Sequence, residues 1–380
     1  MTQYENSMTI DWLRLTISGS QHWDGVAAWL GIEEYGPSDW VTGERYGRQC
    51  GLYICEGVSI WADDIPAPSV SLETGEIHSG AADLRSSKFS LDFSGGGLAT
   101  WAKERGQSPL EILATAVDIC GKDAIQIMRI DLAFDDHEGY LDLYKIRRYL
   151  KSELAVTRWE KFQWLEEDSI GVKNDDGEVI GKKRVKGMKG RTIYLGSRLS
   201  PSFARVYDKR AEMLAKMNHD DRRAALAGGN VPSHWVRFEL ELKREHATAV
   251  GWGMLEAKNP VEYGLSVLRG KIDFKATSGE KRVRRRGAVR WWEHFTQSVA
   301  ARPIRLPRPM ITIERIKGWI NSSVAPSVAL LKKAFNGMQW LEPLVAEGEK
   351  RLDKKRLALL NLRVSHITKG DAPPVYAHSF

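Results

Sequence analysis

The chain has 380 residues, of which 42% are hydrophobic and 28% charged, a composition typical of a soluble protein with one large or two ordinary domains. No run of apolar residues approaches the roughly 18 that a membrane-spanning helix needs, which excludes a membrane protein. Residues 1–10 contain neither a basic segment nor an apolar stretch of the kind found in secretory signals. We therefore expect a protein of the cytoplasm.

Charge is distributed unevenly along the chain. The net charge is +7, yet residues 1–140 carry 9 Lys and Arg against 22 Asp and Glu, and the remainder carries 47 against 27. A basic region of this size favours a polyanionic partner, and nucleic acid is the commonest polyanion of the cytoplasm. A solvated basic surface without a partner is the alternative.

Strands and helical segments alternate irregularly along the chain, which predicts an α+β fold. Strands are predicted at residues 9–17, 91–93, 125–135, 192–195 and 235–243, with a further strand ending at Lys209. Helices are predicted at residues 109–120 and 141–154. No internal repeat is evident.

The composition shifts near residue 300. Residues 302–309 include three prolines, a density typical of a linker, and the chain that follows has mostly helical patterns. We therefore predict one domain over residues 1–300 and a helical C-terminal region over residues 301–380.

A tyrosine between two cations is the first chemical signal. In a strand, residues two apart share one face, so Arg205, Tyr207 and Lys209 are predicted to lie together. Neighbouring positive charges favour the phenolate and bind phosphate oxygens, which suits a hydroxyl that attacks a phosphodiester. A tyrosine on an edge strand with solvated basic neighbours is the alternative.

Two predicted strands each place acidic side chains on one face by the same alternation. These side chains are Asp131, Asp135, Glu239 and Glu241. Neighbouring carboxylates repel each other unless a cation lies between them, so four of them suggest a site for Mg²⁺ or Mn²⁺. A salt-bridged surface that uses Arg129 and Arg237 from the same faces is the alternative. The histidines offer no metal-binding spacing.

Two basic segments are candidates for DNA binding. The side chains concerned are Lys182, Lys183, Arg184 and Lys186 in the first segment and Arg284, Arg285 and Arg286 in the second. Each segment is followed by aromatic residues, Tyr194 in one case and Trp291 with Trp292 in the other, a combination that suits single-stranded or distorted DNA. Core packing is the alternative for the two tryptophans.

The glycine run at residues 95–97 matches neither a phosphate-binding loop nor a dinucleotide fingerprint, and Gly-Lys-Ser/Thr occurs nowhere in the chain. An intrinsic ATPase is therefore not expected.

Residues 192–212 (TIYLGSRLSPSFARVYDKRAE) resemble the signature of the rolling-circle replication initiation factors, a family of plasmid and filamentous phage replication proteins and related relaxases. Further blocks agree in order along residues 8–300: IDWLRLTI, LDFSGGG, RIDLAFDD, RFELELK and RWWEHF. The resemblance implies an antiparallel central sheet with flanking helices, related to the endonucleases that use a His-hydrophobe-His metal site. It says little about residues 169–190 or about the chain after residue 310.

The resemblance also implies a mechanism. Tyr207 would be the nucleophile, flanked by Arg205 and Lys209, and would form a 5′-phosphotyrosyl intermediate during DNA nicking and joining. The implied ligands of a divalent metal, Mg²⁺ or Mn²⁺, are Asp131, Glu239 and Glu241, with Asp135 as a fourth candidate. Arg198, within the signature, is a further candidate DNA contact.

The expected function is initiation of rolling-circle replication of a phage or plasmid. The expected partners are single-stranded or supercoiled origin DNA, a host helicase, a host DNA polymerase and a second copy of the chain in a homodimer. Two alternatives stay open: a relaxase that nicks the transfer origin of an integrative conjugative element, and a non-catalytic DNA-binding regulator with the same fold.

Overall fold

The structure, a computed structural model, describes residues 6–63 except 33, 34 and 36, then 88–167, 190–304, 306, 313–354 and 357. It also describes the backbones of four short strands outside these ranges: β5 (Ser69–Val70), β6 (Ile77–His78), β11 (Ser169–Lys173) and β12 (Val179–Arg184). The described residues divide into two units, one within residues 1–306 and the other within residues 307–380.

The first part of the larger unit contains five strands of the main sheet and three helices. In chain order these are β1 (Ser7–Ser18), α1 (Trp23–Leu30), β2 (Val41–Arg45), β3 (Arg48–Cys55), β4 (Val58–Ala62), β7 (Lys88–Ser94), α2 (Gly95–Glu104) and α3 (Pro109–Cys120).

The second part contains the other five strands of the main sheet and further helices. In chain order these are β8 (Ile125–Asp136), α4 (Leu143–Lys151), β9 (Ala155–Thr157), β10 (Phe162–Glu167), β13 (Gly190–Leu195), β14 (Ser202–Asp208), α5 (Lys209–Lys216), α6 (His219–Ala227), β15 (Val236–Lys243), α7 (Glu245–Glu256), α8 (Pro260–Lys271), β16 (Ile272–Phe274) and α9 (Arg290–Phe295).

Ten described strands form one antiparallel sheet in the order β10-β13-β14-β15-β8-β1-β7-β4-β3-β2. The order has an internal regularity that the sequence does not reveal. Each half places its first strand, β1 or β8, at the centre of the sheet and its last strand, β7 or β15, beside it, and the remaining three strands follow outwards. The expectation of no internal repeat is therefore wrong at the level of topology, because the repeat lies in strand order rather than in residue identity.

One face of the sheet is apolar and packs against helices. Helices α2, α3 and α8 contact β1, and α7 contacts β8. The fully buried side chains on this face include Leu13, Leu15, Ile130, Leu132, Phe134, Phe238, Leu240 and Leu242. Strand alternation leaves the opposite face polar, which brings the charged residues of the central strands together.

The predicted elements of the larger unit are confirmed with small changes of boundary. Helix α3 matches its prediction because Ser108 and Glu111 form a reciprocal capping box and Pro109 occupies the first turn. Helix α4 is shorter than predicted, since Asp142 caps its start and Glu153, just after its end, has a positive φ of 54°. The strand predicted to end at Lys209 ends at Asp208, whose side chain caps α5.

The smaller unit contains the described helices α10 (Ile313–Trp319), α11 (Ala325–Ala334) and α12 (Leu341–Glu349). Its helical character agrees with the prediction for this part of the chain. None of the helices that the structure describes has the length and apolarity needed to cross a membrane.

The glycine run at the start of α2 has a packing role. A Cβ atom on Gly97 would lie 2.1 Å from the carbonyl oxygen of Glu56 and 2.6 Å from the Cα atom of Gly57, in the turn between β3 and β4. The same turn accepts a hydrogen bond at the Gly57 carbonyl from the backbone N–H of Ser94 at 2.8 Å. The helix therefore starts in direct backbone contact with the hairpin, and only glycine fits there.

We expect Gly97→Ala to lower the free energy of unfolding by about 1–3 kcal/mol, the usual cost of overpacking. Gly96→Ala is the matched control, because no heavy atom lies within 4 Å of its added Cβ. Alanine there should leave stability unchanged or raise it by up to about 1 kcal/mol through helix propensity. Urea denaturation of the two variants measures the difference, and equal midpoints would contradict the packing role.

Candidate active site

Tyr207 lies near the end of β14, on the polar face of the sheet. Its hydroxyl donates a hydrogen bond to Oε2 of Glu239 at 3.3 Å, and the Arg205 guanidinium lies 2.7 Å from the same oxygen. The Arg205 guanidinium carbon is 4.9 Å from the centre of the Tyr207 ring. Only 6% of the tyrosine is exposed. The predicted pairing of Tyr207 with Arg205 on one face is present.

The neighbouring cations favour the phenolate of Tyr207, as expected, but they do not decide its pKa. Burial is the largest effect on Tyr207 and raises its pKa, and the negative charge of Glu239 raises it further. Arg205 and Arg237 act in the opposite direction but are outweighed. Tyr207 is therefore a neutral phenol whose proton points at a carboxylate.

Lys209 does not lie in the strand as predicted but begins helix α5. Its ammonium group is nevertheless 5.7 Å from the centre of the Tyr207 ring, and it forms an ion pair with Glu212 at 2.6 Å. The helix start thus keeps a second cation beside the tyrosine, although strand alternation does not account for its position.

The four candidate metal ligands lie on the same polar face, on the adjacent strands β8 and β15. In the register of these strands Asp131 is opposite Glu241, and Asp135 is opposite Arg237, which is in turn opposite Tyr207 on β14. All four carboxylates are buried. The sheet therefore brings together Tyr207 and the acidic residues that the sequence analysis selects separately.

Each of these carboxylates has a cationic partner. Arg129 pairs with Asp131 at 2.6 Å and with Glu241 at 3.0 Å, and Lys243 pairs with Glu241 at 2.6 Å. The arrangement is the salt-bridged surface that the sequence analysis leaves open as an alternative. Within the described residues no group of three His, Cys, Asp or Glu side chains is arranged to hold a metal ion.

Asp131 lies almost fully buried on β8. Burial raises its pKa to about 7, and the charges of Glu239 and Glu241 add to the rise, while Arg129 opposes it. The cations present therefore compensate this cluster only in part.

Arg237 is held rigidly beside the tyrosine. Asp135 accepts two hydrogen bonds from its guanidinium at 2.8 Å each, and Asp11 accepts a third at 2.9 Å. The indole N–H of Trp235 donates to the same Asp135 at 2.7 Å. Asp135 is thus occupied in fixing Arg237, which makes it the least available of the four candidate ligands.

Asp11 is a site residue that strand alternation misses. The pairing of β1 with β8 shifts between Ile10 and Trp12, so Asp11 and Trp12 both reach the polar face while Ile10 and Leu13 are buried. The sequence contains a signal of this bulge, because Ile10 and Leu13 are apolar positions three apart in a strand whose other apolar residues alternate.

The polar face continues onto the N-terminal half of the sheet as a cluster of arginines and aromatic rings. The guanidinium of Arg129 lies 3.8 Å from the ring centre of Trp12, whose indole donates to Asp92 at 2.8 Å. Arg14 lies 4.2 Å from the ring centre of Tyr46, whose hydroxyl donates to Asp92 at 2.7 Å. This cluster was not predicted.

The predicted DNA-binding residues lie away from Tyr207 or outside the described residues. Lys186 lies outside them, as do the side chains of Lys182, Lys183 and Arg184, whose backbones belong to β12. Arg198 is exposed in the turn before β14, with its guanidinium 5.0 Å from the ring centre of Phe203.

The second basic segment lies in the loop between β16 and α9, where Arg284 and Arg285 are exposed. The aromatic residues that follow do not form a free stacking surface. Trp292 is fully buried among aromatic core residues, so base stacking on it is excluded, and Trp291 packs against the same core.

Comparison with known proteins agrees with these features. A family model described as a replication initiation factor matches residues 125–345. A curated protein from Bacillus subtilis (strain 168), named "Putative DNA relaxase NicK", is 22% identical over 233 residues, and the match covers 60% of each chain. The chain thus spans about 60% of the length of this relative.

A solved structure has a similar fold. The rolling-circle replication initiator protein from Geobacillus stearothermophilus superposes with a TM-score of 0.53 at 19% identity, covering 80% of this chain and 100% of that one. The matched range includes β8, β14 and β15, the strands that carry Asp131, Tyr207 and Glu239. Because that match spans more than half of its residues, the chain belongs to the replication initiation factor family.

Proposed function

We propose that the chain nicks and rejoins one strand of origin DNA and so initiates rolling-circle replication of a phage or plasmid. The observation that carries the proposal is the Tyr207 hydroxyl, held against Glu239 and beside Arg205 on the polar face of the sheet. Family membership supports it, as do the names of two similar proteins, a DNA relaxase and a rolling-circle initiator.

In the proposed reaction the Tyr207 oxygen attacks the scissile phosphorus. A bond from tyrosine oxygen to phosphorus forms as the bond from phosphorus to the 3′ oxygen breaks, which leaves a 5′-phosphotyrosyl link. The phenol proton passes to Glu239, which already accepts its hydrogen bond, and the 3′ oxygen takes a proton from water. Attack by a 3′ hydroxyl on the phosphotyrosine reverses the step and joins the strand, so the chemistry needs no ATP.

Arg205 and Lys209 supply positive charge for the scissile phosphate. Both are ion-paired to carboxylates here, to Glu239 and Glu212 respectively. A phosphate oxygen that enters beside Tyr207 offers Arg205 a replacement for Glu239, with the short charge-assisted hydrogen bonds that guanidinium groups form to phosphate. Exchange of the Arg205 partner would also free Glu239 to accept the phenol proton.

A divalent metal, Mg²⁺ or Mn²⁺, would take its oxygen ligands from Asp131, Glu239 and Glu241, buried carboxylates on adjacent strands that are not arranged around a metal site here. Burial raises the pKa of Asp131, and both glutamates add a repulsion that a cation would relieve. These residues would have to exchange their ion pairs with Arg129 and Arg205 to hold it. When bound, such an ion supplies charge stabilisation to a phosphate oxygen.

A relaxase that nicks the transfer origin of an integrative conjugative element is the second candidate. The similarity to the NicK relaxase favours it, and the chemistry at Tyr207 would be the same. The two candidates differ in their origin DNA and in their partners. For replication we propose a host helicase, a host polymerase and a homodimeric initiator, with Arg198, Arg284, Arg285, Arg286 and the segment containing Lys182, Lys183, Arg184 and Lys186 as DNA contacts.

We expect Tyr207→Phe to abolish the covalent protein–DNA adduct and to lower nicking on the order of 10³-fold or more, because it removes the nucleophilic oxygen. DNA affinity should be unchanged, since little packing volume is lost. Tyr194→Phe is the matched control from the neighbouring strand β13 and should retain the adduct. Denaturing electrophoresis after incubation with single-stranded origin DNA and Mn²⁺ is the measurement; an adduct that survives in Tyr207→Phe contradicts the assignment.

We expect Glu241→Gln to raise the Mn²⁺ concentration needed for half-maximal nicking about tenfold or more, because it removes one charged ligand. Activity should recover at high Mn²⁺. Asp135→Asn is the comparison variant: it loosens Arg237 instead, so its loss of activity should not recover with metal. Titration of nicking with Mn²⁺ distinguishes the two, and nicking that resists a chelator in the unmodified chain would argue against a metal.

The pKa of Asp131 predicts a pH-dependent stability in the presence of a chelator. The folded chain keeps a proton on Asp131 up to about pH 7, whereas the unfolded chain releases it near pH 4. The folded state therefore binds more protons between these values, and stability falls as pH rises through this window.

Asp131→Asn should flatten this decline in the free energy of unfolding. The decline is on the order of a few kcal/mol for a pKa shift of this size. Thermal unfolding of both proteins from pH 4 to pH 8 measures the difference. Parallel curves for the variant and the unmodified chain would show that Asp131 has an ordinary pKa.

A further inference from the structure

A cavity of about 240 Å³ lies at the start of β14, at the opposite end of this strand from Tyr207. Its lining includes three basic side chains and two serines: Arg158, His246, Lys271, Ser200 and Ser202. Five residues separate Ser202 from Tyr207, which in a strand corresponds to roughly 17 Å. The cavity is therefore distinct from the nicking site.

Three separate parts of the chain bring the basic side chains together, and a fourth supplies the serines. Arg158 follows β9, His246 lies in the first turn of α7, and Lys271 is the last residue of α8. The serines belong to the turn before β14 and to its first residue. A solvated basic surface does not require basic side chains from several elements, because a single exposed helix or loop can form it alone.

None of the three basic groups forms an ion pair among the described residues, although the charge of Glu245, the neighbour of His246 in sequence, acts on the imidazole. Within the described residues no carboxylate oxygen lies within 4.0 Å of Arg158, His246 or Lys271, whereas Arg129, Arg205 and Arg237 of the nicking site are all ion-paired. Nδ1 of His246 is buried and has no hydrogen-bond partner among the described atoms. The position of Lys271 at a helix C-terminus is favourable for one cation, but it does not account for the other two.

The groups also repel one another. Burial lowers the pKa of Lys271 to about 8, with the charge of Arg158 adding to the effect. Burial and the charge of Lys271 lower the pKa of His246. Arg158 and Lys271 thus lie close enough to act on their neighbours and disfavour the charged forms of Lys271 and His246, an effect that an anion in the cavity would reverse.

We propose that this cavity is a phosphate-binding site, formed by Arg158, Lys271 and His246 with the two serine hydroxyls. Guanidinium, ammonium and hydroxyl groups are the usual donors to phosphate oxygens. The volume equals that of roughly eight waters at about 30 Å³ each, which accommodates a phosphate group with part of a sugar. The phosphate comes either from a free ion or nucleotide, or from the backbone of DNA that extends past the nicking site.

The first test uses inorganic phosphate and the full chain carrying Tyr207→Phe, so that nicking has no part in the result. Phosphate at constant ionic strength, against chloride, should raise the thermal midpoint of this protein. Lys271→Met and Arg158→Gln are each combined with Tyr207→Phe. Each should weaken phosphate binding about tenfold or more, as expected for loss of a charged hydrogen-bond donor. Lys258→Met, which changes an exposed lysine outside the cavity, is the control and should respond fully.

The second test distinguishes the source of the phosphate with the same variants and an oligothymidylate. If inorganic phosphate has no effect, but Lys271→Met and Arg158→Gln each reduce the slope of log affinity against log salt by about 0.7, the site binds a DNA phosphate. If both variants match Lys258→Met in the phosphate and the DNA measurements, the proposal is overturned. Neither result depends on whether Tyr207 is the nucleophile, so this inference and the proposed function can fail separately.

Discussion

The pairing of arginines with buried carboxylates is the constraint on which the candidate active site depends. On the polar face of the sheet, Arg129, Arg205 and Arg237 each pair with an acidic residue of β8 or β15. Buried charges are tolerated only when they are paired and hydrogen-bonded. These ion pairs give the carboxylates cationic partners in the absence of DNA. In the proposed reaction a DNA phosphate replaces the carboxylate at Arg205, and a metal ion replaces the arginines at the carboxylates. The neutral Tyr207 belongs to the same network, because its proton lies on a hydrogen bond to Glu239.

Rigidity differs across this network in a way that fits such an exchange. Arg237 is fixed by Asp135, Asp11 and the indole of Trp235 acting on Asp135. Arg205 has one ion-paired carboxylate among the described residues, and its side chain is 36% exposed. The first arginine is suited to hold the geometry of the strand beside Tyr207. The second can move to an incoming phosphate at smaller cost, since one ion pair has to be replaced.

Strand alternation in the sequence was enough to predict which side chains of one strand share a polar face, Asp131 with Asp135 and Glu239 with Glu241, because the residues between them are uniformly apolar. It could not predict the partners of these groups, which come from register between strands that are far apart in the chain, as with Arg205 and Glu239. Asp11 was missed because the bulge in β1 breaks the alternation. Burial of Tyr207 reversed the expected direction of its pKa, and burial is a property of the tertiary structure that two neighbouring cations in a sequence do not reveal. The repeated strand order of the two halves was equally hidden, because it lies in the pairing of the strands and not in their residues.

The central claim is that Tyr207 itself forms the bond to DNA. Identification of the residue that becomes attached to DNA tests this claim most directly. The chain without substitutions is trapped on single-stranded origin DNA with Mn²⁺, and protein and DNA are then digested. Mass spectrometry sequences the peptide that carries the nucleotide. The account predicts that the nucleotide is attached to Tyr207. Attachment to Tyr194 or to any other residue would contradict it.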